Sequence, residues 1–322
     1  VAPDPETQLK QFLIRGDDFA ARGDDKAASS FYTAALRLAG TLGVVPPSLH
    51  APLRAARARC AEYAERYERF LTEYLDAESA TPAPGSRFAQ ALDVLTGRRR
   101  LYPQEPRVFY YPEMPARQFY DAAAFPWAQA LEARTDAIRR EALAALSRRG
   151  SFEPYLNATA ERAQNEHHAM AGNEDWGAFY LWRDGELVEE NAARCPETMA
   201  ALGDVPLTRV PGRLPSVLFS LLRPGAHIPP HTGFVNTRLI CHLPLVVPAG
   251  CAFRVGNEVR EWREGELMIF DDTIEHEAWN RSASDRLVLL FDVWQPALSE
   301  TERRQVSALL AAISAYGTSR SS

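Results

Sequence analysis

Histidine carries most of the chemistry this sequence offers. Three of the chain's seven histidines, His227, His231 and His242, fall within "HIPPHTGFVNTRLICH", residues 227–242, and a fourth, His276, follows in "GELMIFDDTIEHEAWN". The first stretch holds no Asp or Glu and a single charged residue, Arg238. Imidazole is the commonest protein ligand for a metal, yet such sites usually recruit a carboxylate. The missing acid is the question the pattern poses. Ten residues beyond His276 stands Arg286, which opens "RLVLLFDVW", a run apolar on both faces. A guanidinium leading such a strand indoors costs on the order of several kcal/mol unless it meets an anion. Asp285 and Asp292 offer structural pairs, and a ligand anion is the functional alternative.

These residues need a frame. The first eighty residues read as helix: "QLKQFLIRGDDFAARGDDKAASSFYTAALRLAG" holds two amphipathic segments separated at Gly23-Asp24, and "LHAPLRAARARCAEYAERYERFLTEYLDA" adds a long third. The hairpin resembles a tetratricopeptide repeat, so residues 1–82 are expected to be a tetratricopeptide-like region; an ordinary helical bundle fits the same pattern. "ESATPAPGSR" marks a linker, and residues 83–150 are expected to hold linker and packing helices. From Trp176 onward short apolar runs alternate with Gly, Pro, Asn and Asp, so residues 151–322 are expected to be an all-β sandwich or barrel. A helix closes the chain, with Ser299 as its N-cap. The fold class is therefore α+β, helices first.

Composition narrows the function. A net charge of -6 argues against broad binding to nucleic acid or anionic membranes, and no apolar run approaches the ~18 residues of a membrane span. The N-terminus lacks the layout of a signal peptide. Cys60, Cys195, Cys241 and Cys251 form no CxxC pair, so a reducing, cytoplasmic setting is expected.

Together "PGAHIPPHTG", "NTRLICHLPL", "GELMIFDDTIEHEAWN" and "RLVLLFDVWQP" resemble the aspartyl/asparaginyl β-hydroxylase family of Fe(II)/2-oxoglutarate-dependent dioxygenases, from about Trp176 to Pro296. The resemblance implies a double-stranded β-helix (jelly-roll) oxygenase domain that needs Fe(II), 2-oxoglutarate and O2. It implies that His231 and His276 hold the iron without a carboxylate. In most oxygenases of the superfamily an acid stands two residues after the first histidine, and here that residue is Gly233. It further implies that Arg286 grips the distal carboxylate of 2-oxoglutarate, with Ser220 as hydroxyl partner and His242 in contact with the cosubstrate. Ile240 stands where vertebrate members carry a second arginine; Arg238, on the same face by strand parity, is the candidate to compensate. Asp271 and Asp272 are expected as turn and supporting acceptors rather than metal ligands. No role is assigned to His50, His167, His168 or His227, and Trp182 is expected in the core or at a substrate mouth.

The activity so implied is β-hydroxylation of aspartyl or asparaginyl residues, with release of succinate and CO2. The helical front end favours a peptide or protein substrate. Free or carrier-tethered aspartate, or a lipid, stays open as a small-molecule substrate. A halogenase would share the missing carboxylate. A non-catalytic jelly-roll module would not need both histidines and Arg286.

Overall fold

Two residues set the first helical hairpin. Gly23 takes φ +73, the left-handed conformation that ends a helix cheaply, and Asp24 caps the next by accepting the Ala27 N–H at 2.9 Å. They separate α1 (Pro5–Ala21) from α2 (Asp25–Thr41) in the computed structural model, which describes residues 4–148, 150–155 and 172–318. A Cβ at Gly16 would meet the Tyr32 ring at 2.5 Å, so glycine is what lets the two helices approach. With α3 (Pro47–Ala77) they enclose a core of Leu9, Leu13, Ala28, Tyr32, Ala35, Leu49 and Ala56. α4 (Arg87–Leu95) completes a first unit, residues 1–100. The N-terminal region is helical as expected. One hairpin and a 31-residue helix fall short of the about three repeats a self-stacking array needs.

The second unit, residues 101–322, holds the strands. β1 (Phe119–Tyr120), α5 (Ala128–Glu132), α6 (Thr135–Leu146), β2 (Glu153–Pro154), β3 (Trp176–Arg183), β4 (Glu186–Leu187), α7 (Glu189–Ala193) and α8 (Pro196–Ala201) lead in. There follow β5 (Val217–Leu222), β6 (His227–His231), β7 (Arg238–Val246), β8 (Cys251–Val255), β9 (Glu258–Glu261), β10 (Met268–Phe270), β11 (His276–Asn280) and β12 (Arg286–Trp294). One antiparallel sheet runs β1-β10-β7-β12-β5-β3-β2, with β4 on β3; the other runs β6-β11-β8-β9. The last eight strands pass back and forth between the two sheets in the order of a jelly roll, with β8 and β9 forming a hairpin within the small one.

Two cores explain why β5, β7 and β12 read as apolar without alternation. The outer face of the large sheet (Phe179, Phe219, Leu239, Phe291) packs under Leu131 of α5 and Ile138 of α6. The inner face (Trp176, Leu218, Leu222, Ile240) meets Phe253 of the small sheet. A strand buried on both faces loses its period-two pattern. Polar residues on the inner face therefore stand out: Ser220, Arg238, His242, Arg286 and Asp292 are all buried there.

The closing helix, α9 (Glu300–Thr318), begins as expected. Ser299 Oγ accepts the Glu302 N–H at 3.3 Å and Glu302 Oε2 accepts the Ser299 N–H at 2.7 Å, a reciprocal cap. Among the described residues no helix is long and apolar enough to cross a membrane.

Candidate active site

Register brings the two expected metal ligands together. β6 and β11 pair antiparallel with His231 opposite His276, and their ring centroids lie 4.1 Å apart. Each ring is locked in the same way. His231 Nδ1 lies 2.8 Å from Pro229 O, and His276 Nδ1 lies 3.0 Å from Ile274 O. A carbonyl oxygen only accepts, so each Nδ1 carries the proton and each Nε2 keeps the lone pair that binds metal. Burial, and then the neighbouring His231, hold His276 well below the usual imidazole range. It is therefore neutral at physiological pH. No group of three or more His, Cys, Asp or Glu among the described residues could hold a metal. Among the described residues no carboxylate joins the imidazole pair in a metal-holding group.

Both rings line a cavity of about 280 Å3 between the sheets. Arg286 is 2% exposed and makes no hydrogen bond or ion pair among the described residues; its guanidinium lies 4.9 Å from the Trp262 ring centroid. Neither expected structural partner takes it. Asp285 pairs with Arg223 at 2.9 Å, and Asp292 lies on the Arg238 side. Burial pushes Arg286 down to about 10, which still leaves it charged. Ser220 is one strand away: Val288 opposes Ser220 and Arg286 opposes Leu222. Trp176 Nε1 donates to Ser220 Oγ at 3.2 Å, so the hydroxyl hydrogen remains available to an acceptor. His242, packed against Phe270 and Phe253, is held neutral, with burial and then Arg286 lowering it to about 3. Among the described residues Arg286 Nε, His242 Nδ1 and Trp262 Nε1 are buried without a hydrogen-bond partner. Buried polar nitrogens of this kind are rare unless a ligand satisfies them, and a carboxylate would satisfy the Arg286 and Trp262 donors.

The acid that the sequence lacks at position 233 is present in space from elsewhere. An ideal Cβ on Gly233 would lie 2.2 Å from Asp272 Cγ, and Gly233 N–H donates to Asp272 O at 2.6 Å. Asp272 is held by Arg238, Nη2 to Oδ2 at 2.8 Å. Arg238 also lies 3.8 Å from Asp292 and 4.1 Å over Phe234. Arg238, expected as a cosubstrate contact, lines the cavity while its guanidinium also faces the buried carboxylates of Asp272 and Asp292. Ile240 lines the cavity and leaves that wall apolar.

Asp271, His227 and Trp182 are not among the residues that line the cavity. Asp271 Oδ1 accepts from the Thr273 N–H and hydroxyl, a turn acceptor as expected. His227 is exposed and lies 2.8 Å from Glu277, and His50 lies 3.0 Å from Val45 O. His167 and His168 lie outside the described residues. Trp182 packs on the outer core, with Arg209 5.3 Å from its ring. Sequence reasoning missed Arg107, Tyr155, Trp176 and Trp262 on the cavity wall. Tyr155 stacks on Trp176 at 4.0 Å, and only the pairing of β3 with β5 reveals that Trp176 shares a face with Ser220.

A sequence-family model described as aspartyl/asparaginyl beta-hydroxylase matches residues 132–296, just over half of the chain. The chain is 37% identical over 183 residues to the human protein named aspartyl/asparaginyl beta-hydroxylase, covering 56% of this chain and 23% of that one. It is also 37% identical over 183 residues to the ornithine lipid ester-linked acyl 2-hydroxylase of Rhizobium tropici, covering 56% and 61%. To human aspartate beta-hydroxylase domain-containing protein 2 it is 28% identical over 212 residues, covering 65% and 55%. The chain spans less than two thirds of the length of each of these relatives.

Proposed function

The chain belongs to the aspartyl/asparaginyl beta-hydroxylase family, and on that premise we propose that it is an Fe(II)- and 2-oxoglutarate-dependent dioxygenase hydroxylating the β-carbon of aspartyl or asparaginyl residues in a peptide or protein. One observation carries the reading. Two imidazoles with their Nδ1 protons tied to carbonyls share a cavity with a buried guanidinium that has no partner among the described residues.

The donor set fits both absent groups. His231 and His276 would hold ferrous iron through their Nε2 lone pairs, and two neutral ligands suit a metal whose charge a dianionic chelator would balance. Arg286 would hold the far carboxylate of 2-oxoglutarate through its planar fork, with the Ser220 hydroxyl, the His242 ring and the Trp262 N–H completing the cradle. When bound, iron and the 2-oxo acid supply the oxidising power: O2 and 2-oxoglutarate become succinate and CO2 as one oxygen atom enters the substrate C–H bond.

This chain's residues do the rest. The carbonyl locks keep both rings in the tautomer and orientation for ligation. Phe253, Phe270, Ile240 and Leu290 line the cavity and keep water from the reacting centre. The Arg238–Asp272 pair fixes the turn before β11 against the segment after β6, and so sets the spacing of the two histidines. We read the N-terminal helices as a tetratricopeptide-like unit serving a peptide or protein substrate.

A lipid acyl chain is the second reading, favoured by the apolar wall at Ile240 and by similarity to the Rhizobium tropici hydroxylase. Succinate release by anaerobically prepared, Fe(II)-loaded enzyme, screened over aspartyl and asparaginyl peptides, free aspartate and lipids, separates the two. His276→Ala is the control. Succinate at equal rates in that variant, or none from wild type with any substrate, contradicts the proposal.

A further inference from the structure

The cavity has a third guanidinium, at its rim, from a segment upstream of the family match. Residues 104–111 form a strap across the two loops that flank the histidines. Arg107 N–H donates to Gly233 O at 3.0 Å, and Val108 and Phe109 donate to Phe234 O at 2.9 and 3.1 Å. On the other side, Glu105 N–H donates to Thr273 O at 2.7 Å. Asn236 ties the ends, with Oδ1 accepting the Tyr111 N–H at 2.7 Å and Nδ2 donating to Gln104 Oε1 at 3.1 Å. The backbone of Arg107 is therefore fixed beside the loop that follows His231.

Among the described residues its side chain makes no hydrogen bond or ion pair. Arg107 is exposed and lines the cavity, and among the described residues no carboxylate lies within ion-pair distance of it. Asp272, the acid among the described cavity-lining residues, already faces Arg238. Asp272, Tyr155 and His276, whose proton affinities burial shifts first, each also register the Arg107 charge. The chain is net negative, so this local cation is not part of a general basic surface. Of the cavity's three arginines, one is paired, one is buried beside Trp262, and one stands at the entrance on a braced backbone.

We propose that Arg107 is a substrate-binding residue that pairs with a carboxylate carried by the substrate and selects carboxylate over amide or neutral groups. The inference rests on the dioxygenase reading, in which Arg286 is occupied by the cosubstrate and the entering substrate must pass the rim. A fork-shaped donor on a fixed backbone suits a carboxylate, and its charge-assisted bond strengthens as the mouth is closed to water.

The test measures binding without turnover. The full chain is loaded anaerobically with Mn(II) and 2-oxoglutarate and titrated calorimetrically with N-acetyl-aspartate methylamide or N-acetyl-asparagine methylamide. Wild type is expected to bind the aspartate probe about tenfold more tightly than the asparagine probe. Arg107→Gln should bring that ratio to about one with an unchanged unfolding temperature, and Arg107→Lys should keep part of it. No preference in wild type, absence of binding by both probes, or a preference that survives Arg107→Gln overturns the inference. Succinate release by the Fe(II) enzyme is measured in parallel. Its absence in wild type overturns the dioxygenase reading, whereas intact succinate release with a ratio indifferent to Arg107 overturns this inference alone.

Discussion

The carboxylate of Asp272 fills the space in front of Gly233: a Cβ on that glycine would stand 2.2 Å from Asp272 Cγ. The acid that usually follows the first histidine by two residues is therefore excluded by an acid from the turn before β11. That second acid is turned toward Arg238. Side chains at 233 and 272 compete for one volume.

Restoring an acid in sequence should accordingly fail in space. Gly233→Ala is expected to destabilise the fold by about 1–3 kcal/mol, because Asp272 is held on two sides and cannot yield cheaply. Gly233→Asp should lose more and should not raise metal affinity, since it displaces the partner of a buried arginine. Chemical denaturation and metal titration check this. Gly233→Asp with wild-type stability and tighter metal binding would show that the space is free.

Arg286 trades stability for ligand capture. Arg286→Met is expected to raise the unfolding free energy of the ligand-free protein by about 1–3 kcal/mol, because it removes a buried charge that lacks a partner among the described residues. The same variant should lose the rise in melting temperature that 2-oxoglutarate with Mn(II) gives wild type. Thermal scans with and without both ligands read the two effects. A less stable Arg286→Met that still responds to 2-oxoglutarate counts against the assignment.

A third expectation concerns pH. Burial raises the Asp292 carboxyl to about 6 against the opposing pull of Arg238. A carboxyl raised in the folded state stabilises the fold below its unfolded value of about 3.9, and that contribution is lost as pH rises through the folded value. Asp292→Asn keeps an oxygen for the Ser216 N–H, which donates to Oδ1 at 2.9 Å, and abolishes the titration. The melting temperature of the variant minus that of wild type should be near zero at pH 4 and rise by on the order of 2–4 °C by pH 7. A difference that stays flat or falls across this range removes the argument.

The turn that aims Arg286 is a fourth point. Asn280 donates to Leu222 O at 2.9 Å and Ser284 O at 2.8 Å, and accepts the Ser282 N–H at 3.0 Å. It shapes the connection from β11 to β12. Asn280→Ala is expected to cost about 2–4 kcal/mol, because it removes the buried amide that donates to the Leu222 carbonyl and ties the turn. It should also raise the KM for 2-oxoglutarate more than it lowers kcat. An unaltered KM in a folded variant would mean that the turn does not position Arg286.

Much of the fold and the site was legible because the signals are local. The runs of β5, β7 and β12 announce buried strands, and the spacing of His231, His276 and Arg286 lies within one stretch of chain. What stayed hidden depends on register and on distant segments. The Arg238–Asp272 pair joins residues 34 apart across β7 and a turn. Trp182 faces outward because the β3–β5 pairing shifts between Tyr180 and Trp182, which reverses the parity that Trp176 and Ala178 establish. The strap at 104–111 contains no regular strand, and its ties to residues 233–236 and 273 carry no periodic signature.

The central claim is that His231 and His276 jointly seat ferrous iron while 2-oxoglutarate completes the coordination. Anaerobic titration of the full chain with Fe(II) and 2-oxoglutarate, followed by the visible charge-transfer band of a chelated 2-oxo acid, tests it most directly. Wild type should develop the band at one iron per chain, and the His231→Ala, His276→Ala double variant should not. A band of equal strength in the double variant, or none in folded wild type, contradicts the account.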